Sequence, residues 1–392
     1  METTTLSYTT QNTGGQRKWQ RITLLTVLGY EAAGCLSGGA MLIAAPNGRL
    51  MDMPVDMMHG AFPDFLVPGI ILFTLGILTT AAFIAVLRRK QSDWIMACLS
   101  LGGLAIWFWV EIAVLQKLHW LHFMWGLPVI VGGLVTIPMI PSRFMQKTLL
   151  FCGILSSLLY VAINIIVAMQ WKAYDSGSQT ISELSAIGAP TRTLWMVLCT
   201  PYTLLIIAFA VGVWKSAREN RLLRIAGGLM IAYGALGILW PFAPMHLRET
   251  LAAGGGTFSD SMHIALAGVT QIIYLLALGY AAASLGKKFR IYSIATVVVL
   301  LVFGVLTFLD SPGVATNQPT PLIGVWERIN IGVFLLWVVV LATILLRAEK
   351  KESSITVFKK GMLGTKITDR SQRTQIPKLR DRKKRKDSVM SK

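Results

Sequence analysis

Charge is scarce in this chain, and what there is leans one way. Asp, Glu, Lys and Arg make up 14% of the 392 residues, too few to cover the surface of a water-soluble chain of this length. Acidic residues number 19 against 37 basic ones, a formal net charge of +18. The basic residues lie in short loops and one tail, with no basic domain to receive a strand, so nucleic acid is excluded as an expected partner. Cysteine is sparse as well. Cys35, Cys98, Cys152 and Cys199 all fall in apolar stretches, which excludes a disulfide framework or a CxxC knuckle and leaves them as small apolar side chains. There is no HExxH run, and Gly254-Gly255-Gly256 is not followed by Gly-Lys-Ser/Thr, so it reads as a flexible loop. No internal repeat of the transporter kind is visible.

What the chain has instead is hydrophobicity, at 54% of its residues. Apolar runs long enough to cross a hydrocarbon core of about 30 Å are expected near 22–44, 66–87, 94–115, 123–141, 149–171, 194–214, 222–242, 263–285, 291–309 and 324–346. Backbone polar groups must be satisfied inside lipid, so these are helices. The fold class is all-α, a polytopic transmembrane bundle of about ten spans. The first span follows a polar segment ending in Arg17, Lys18 and Arg21 and is longer than a signal-peptide core, which makes it an uncleaved signal anchor.

Every second loop is basic: Arg88-Arg89-Lys90, then Arg143 and Lys147, then Lys215, Arg218, Arg221 and Arg224, then Lys287, Lys288 and Arg290. The positive-inside rule sets these loops and both termini in the cytoplasm. The alternate loops carry Asp52, Asp56, Asp64, Asp175, Glu183, Glu249, Asp260, Asp310 and Glu327, flanked by Trp120, Trp171, Trp195, Trp240 and Trp326 as an interfacial belt.

Four regions are expected. Residues 1–21 are a cytoplasmic N-terminal segment, 22–145 a four-helix membrane module, 146–350 a six-helix membrane domain and 351–392 a basic disordered cytoplasmic tail. The tail's run from Lys378 to Lys386 cannot bury a core and suits anionic lipid head groups. Three segments of the second half carry a resemblance: Ile181-Ser182-Glu183-Leu184-Ser185-Ala186-Ile187-Gly188-Ala189-Pro190, Ser259-Asp260-Ser261-Met262-His263 and Gly324-Val325-Trp326-Glu327-Arg328. Their order between hydrophobic hairpins resembles the bacterial domain-of-unknown-function family 998, a six-helix membrane domain, over roughly residues 148–347. Ser185 stands where that family usually has glycine. The first half, with Gly38-Gly39, Pro46-Asn47-Gly48 and Pro63-Asp64-Phe65-Leu66-Val67-Pro68-Gly69, resembles an uncharacterised bacterial four-helix membrane module. Neither resemblance implies an activity or a cofactor. Both imply a bacterial inner membrane.

All five histidines, His59, His119, His122, His246 and His263, fall beside the acidic loops. Asp260 and His263, at i and i+3, share a helix face. With Glu183 they have the chemistry of a metal or acid–base site, and the competing reading of Asp260 is a helix cap. His119 and His122 likewise share a face and are weighed as metal ligands against interfacial helix-end residues. Glu327 and Arg328 read as an interfacial pair or a ligand contact. Glu31 and Glu111 lie within spans, where a charge costs about 2.5–3.5 kcal/mol. Glu31, the more central, is either a proton relay or a protonated helix–helix hydrogen bond. Asn164 glues helices or touches a ligand, and Pro201 kinks its helix and frees a backbone carbonyl.

Three functions suit these features. The bundle binds or moves a lipid or other amphipathic small molecule, or it is an intramembrane metal-dependent hydrolase built on Asp260, His263 and Glu183, or it is a non-catalytic scaffold. Cofactor and protein partners are not readable from the sequence.

Overall fold

The computed structural model describes residues 3–89 and 92–350, with side chains from Lys18 onward except that of Arg143. The tail beyond Lys350 and the expected lipid contact of its basic run lie outside the described residues. Eleven α-helices are present among them: α1 Thr3–Ala44, α2 Leu66–Leu87, α3 Asp93–Leu115, α4 Trp120–Thr136, α5 Ser142–Met169, α6 Arg192–Ser216, α7 Arg221–Gly237, the short α8 Arg248–Ala252, α9 Phe258–Ser284, α10 Lys287–Ala315 and α11 Ile323–Lys350. Ten are long and apolar enough to cross a membrane; α8 is not. The protein is an all-α, multi-pass membrane bundle.

The helices outrun the apolar cores seen in the sequence. The first span begins at Lys18 rather than 22, and the ninth covers 287–315 rather than 291–309. Hydropathy marks only the apolar centre of a helix. The helical backbone continues into the interface, where long basic side chains reach out to water. Leu134, Leu158, Ile165 and Phe308 are exposed on the outer faces of their helices. An exposed apolar belt of this kind matches lipid tails rather than water.

Two large hydrophobic cores and two smaller clusters form among the described residues. In the first half α1 packs on α2 and α4, and α3 packs on the same two helices. The ring closes on Leu24, Leu28, Ala82, Val86, Leu101, Leu104 and Val129. In the second half α5, α6, α7, α9 and α10 pack in sequence. α11 joins them around Phe209, Met230, Leu278, Leu300, Trp337 and Leu341. Because lipid gives helices no hydrophobic reason to associate, buried polar contacts and close backbone approach take over that role. Ser157 Oγ donates to the Leu335 carbonyl at 3.1 Å, Trp337 Nε1 to Ser293 Oγ at 2.9 Å and Asn330 Nδ2 to the Leu300 carbonyl at 2.6 Å. Together they fasten α11 to α5 and α10.

Pro201 sits inside α6. It has no N–H to offer the carbonyl four residues earlier, that of Val197. Trp109 Nε1 of α3 donates to that carbonyl at 2.8 Å, so a proline in one half supplies the acceptor that holds the other half.

Candidate functional site

The loops joining α5 to α6, α7 to α9 and α10 to α11 fold together at one end of the second half. Thr180 caps a short 3-10 turn, Ile181–Ser185, in a reciprocal box with Glu183, the arrangement that satisfies free N–H groups at a helix start. Glu183 has no exposed surface. Arg248 meets it in a two-pronged ion pair, Nε to Oε1 at 2.7 Å and Nη2 to Oε2 at 2.8 Å. These bonds to Glu183 strengthen the hold of Arg248 on its proton. Arg248 also donates to Thr320 Oγ1 at 3.2 Å and to the Ser178 carbonyl at 3.3 Å. One buried pair therefore ties all three loops.

Glu327 and Arg328 do not pair with each other in the way the sequence suggested. Glu327 Oε2 accepts from the Ile181 backbone N–H. Arg328 Nη1 donates to the carbonyls of Ser176 at 2.8 Å and Gln179 at 3.2 Å, and Nη2 to the Tyr174 hydroxyl at 2.6 Å. Both side chains hold the α5–α6 loop from the first turns of α11, supplying partners for the Ile181 N–H and the Ser176 carbonyl. Burial pushes the Tyr174 phenol up to about 12, which keeps it neutral and able to donate to the Thr180 carbonyl at 2.8 Å. Ser178 and the backbone N–H groups of Gly177 and Ser178 hold the exposed Asp175 carboxyl below its usual range.

Asp260 does cap α9, in a reciprocal box with Thr257, and it does more. Its Oδ1 accepts from the His246 backbone N–H at 2.7 Å and its Oδ2 lies 2.8 Å from His246 Nδ1. His246, which the sequence did not single out as its partner, closes the α7–α9 loop against the helix start. His263 faces elsewhere. Its Nδ1 lies 2.8 Å from the Ala243 carbonyl and its Nε2 3.1 Å from Ser182 Oγ, and Trp240 packs edge-on against the ring at 5.0 Å. A carbonyl can only accept, so Nδ1 carries the proton and Nε2 accepts from the serine hydroxyl. The Glu183, Asp260 and His263 side chains, at one end of the bundle, thus each have their own partners. Among the described residues no group of three or more His, Cys, Asp or Glu side chains is gathered as a metal site.

His119 and His122 cap α4 reciprocally. His122 Nε2 is buried with no hydrogen-bond partner and lies 4.0 Å from Glu111 Oε1. Glu31 is fully buried, facing other helices rather than lipid. Neither of its carboxylate oxygens has a hydrogen-bond partner, so the interhelical bond expected for it is not made.

Below the loop cluster, polar side chains line the middle of the six-helix bundle. Tyr202 and Tyr233 share a hydrogen bond at 2.9 Å. Tyr160 packs on Tyr202 at 4.8 Å, and Tyr233 on Tyr274 at 6.1 Å and Phe334 at 5.1 Å. The Tyr274 hydroxyl lies 3.0 Å from Asn330 Oδ1 and also beside Gln271 Oε1, sharing its one proton between them. Asn164 lies beside the Tyr160 hydroxyl, with Cys199 and Glu327 near the same ring, and its Oδ1 is buried with no hydrogen-bond partner. Tyr160, Asn164, Cys199, Tyr202 and Tyr233 each stay half-buried. Asn164 alone of this group was visible as a candidate in the sequence. The tyrosines were not candidates there, since only the packing of four helices brings their rings and hydroxyls together.

Residues 154–344 match the model of a family described as a protein of unknown function (DUF998), over the stretch whose motifs carried the resemblance. No curated protein and no solved structure matches the chain.

Proposed function

We propose that the protein binds a lipid or similarly amphipathic small molecule inside its six-helix part and moves it within the membrane. The observation that carries this reading is the buried, unpartnered Asn164 Oδ1 among half-buried tyrosines. A polar group left unpaired in a lipid-immersed interior is costly, and a ligand hydroxyl or amine meeting it removes that cost. The tyrosine rings offer apolar surface with a polar tip, which suits a molecule with one polar and one apolar end. The loop cluster above is already satisfied internally, which favours it as a rigid rim rather than as the head-group receptor. The rest of this reading is the cytoplasmic placement of both termini, a bacterial inner membrane, a four-helix module beside a six-helix domain, and a tail held to anionic head groups.

The test is mass spectrometry of small molecules extracted from the purified protein. Asn164→Leu should lower the occupancy of a copurifying amphipath about tenfold, the effect of losing one buried hydrogen bond of roughly 1–2 kcal/mol, without loss of thermal stability. Equal occupancy in the variant would overturn the reading.

One observation favours a hydrolase as the second reading. Ser182 Oγ, His263 Nε2 and the Ala243 carbonyl have the order of nucleophile, base and orienting group. Glu183 is engaged by Arg248, so Ser182 replaces it in this version of the site. A fluorophosphonate probe should then label Ser182 in the intact protein and fail on Ser182→Ala. Absence of labelling at Ser182 would leave His263 as a strut between loops.

A further inference from the structure

Glu31 is the central residue of the 27-residue span Lys18–Ala44, about 20 Å along the helix from either end. It is fully buried, and neither oxygen has a hydrogen-bond partner. One face of α1 around it is filled by Trp125 of α4, which stacks on Tyr30 at 4.5 Å and closes against Gly34. The charged and titratable groups of the packed helices are few. α2 has none, α4 has His122, and α3 has Asp93, Cys98 and Glu111. On α1 itself Cys35, one turn on, is the group in electrostatic contact with Glu31. No Lys or Arg of these helices lies between Arg21 and Arg88, and Arg21 is engaged by the Val86 and Leu87 carbonyls at the end of α2.

A carboxylate in this position has no counter-charge, and burial of an unpaired ion is prohibitive. Something positive must accompany it. A metal cation is a poor fit, because hard cations take six or more oxygen ligands. The buried hydroxyls of the neighbouring helices are already hydrogen-bonded, Ser100 Oγ to Thr79 Oγ1 at 2.9 Å, Thr79 Oγ1 to the Leu75 carbonyl at 2.8 Å and Thr136 Oγ1 to the Gly132 carbonyl at 2.7 Å. A proton is the one cation that a single carboxylate holds unaided. A buried carboxyl kept merely for structure would also be expected to use its O–H in a bond across helices, and this one does not.

We infer that Glu31 is an exchangeable proton-binding site at mid-membrane, in the four-helix part of the protein. Such a site is the chemistry that proton-coupled movement of a substrate requires. It does not depend on what the six-helix part binds.

The test is infrared spectroscopy of the full-length protein in bilayers, with wild type minus Glu31→Gln isolating one carboxyl. Glu31→Leu is the second variant should Glu31→Gln fail to fold. The expected result is a protonated-acid carbonyl band that shifts in heavy water. The band should give way to carboxylate bands on alkalinisation, the protonated-to-ionised ratio falling about tenfold per pH unit. Added sodium should leave it unchanged. A band that neither exchanges nor titrates would mean a permanently locked proton and would overturn the proposal. So would the absence of any protonated band, or its replacement by carboxylate when sodium is added at fixed pH.

Discussion

Arg248 shows what single residues do in this protein and how little of it a linear reading reveals. In the sequence it is the one Lys or Arg of the loop between α7 and α9. In the fold it meets Glu183, 65 positions away, deep beneath three loops. Nothing local marks the pair, since neither residue sits in a motif that demands the other. Glu183 was legible as a polar candidate, but its role depends on a contact made only after the helices have packed. Arg248→Ala should destabilise the protein by about 3–5 kcal/mol, because it strands a buried carboxylate. Adding Glu183→Gln should restore part of the loss by removing the orphan charge. Thermal unfolding in detergent of the two single variants and the double variant checks this. Equal, small effects in all three would show that the loops hold without the pair. Asp260 teaches a related lesson. Its capping role was legible from its position at a helix start, while its contact with His246 was not, because the α7–α9 loop must fold back to make it.

At the scale of elements, the ten spans were legible because burial in lipid needs long apolar runs and little else. Their ends were not, as α10 shows by continuing through Lys287 at one end and Asp310 at the other. The packing of one helix on the next depends on small residues whose meaning is invisible until the partner is known. Gly39 of α1 lies so close to α2 that an added Cβ would stand 2.6 Å from the Phe73 backbone nitrogen. Backbone cannot rotate out of the way as a flexible side chain can, so the helices must part. Gly39→Ala should cost about 1–3 kcal/mol and lower the unfolding temperature of the α1–α4 part first, read by fluorescence of Trp125. Gly133 has open space round its Cβ position, so Gly133→Ala serves as the control and should be neutral. A large loss in both would point to general helix effects rather than to the α1–α2 contact.

On the scale of the whole molecule, the alternation of basic and acidic loops makes a prediction about direction. The loops joined by Glu183, Arg248, Asp260 and Arg328 gather at one end of the bundle. Arg21 at the start of the first span, Lys18–Ala44, and Arg224 in the first turn of α7 belong with the basic loops at the other end. Positive charge is retained on the cytoplasmic side during insertion, so the paired-loop end should face outward. Single cysteines at Gly255 and Gln318 should react with a membrane-impermeant maleimide in intact cells. Cysteines at Ser216, and at Ser371 outside the described residues, should react only after permeabilisation. The native cysteines lie within spans and should contribute little background. Labelling of Ser216 from outside would invert the molecule. It would also move the rim and the Ser182–His263 contact to the cytoplasmic face, so that any amphipath entering at that end would come from the inner leaflet rather than the outer one. Because these features share one end of one bundle, they must turn over together, and a mixed labelling pattern would contradict the helix order itself.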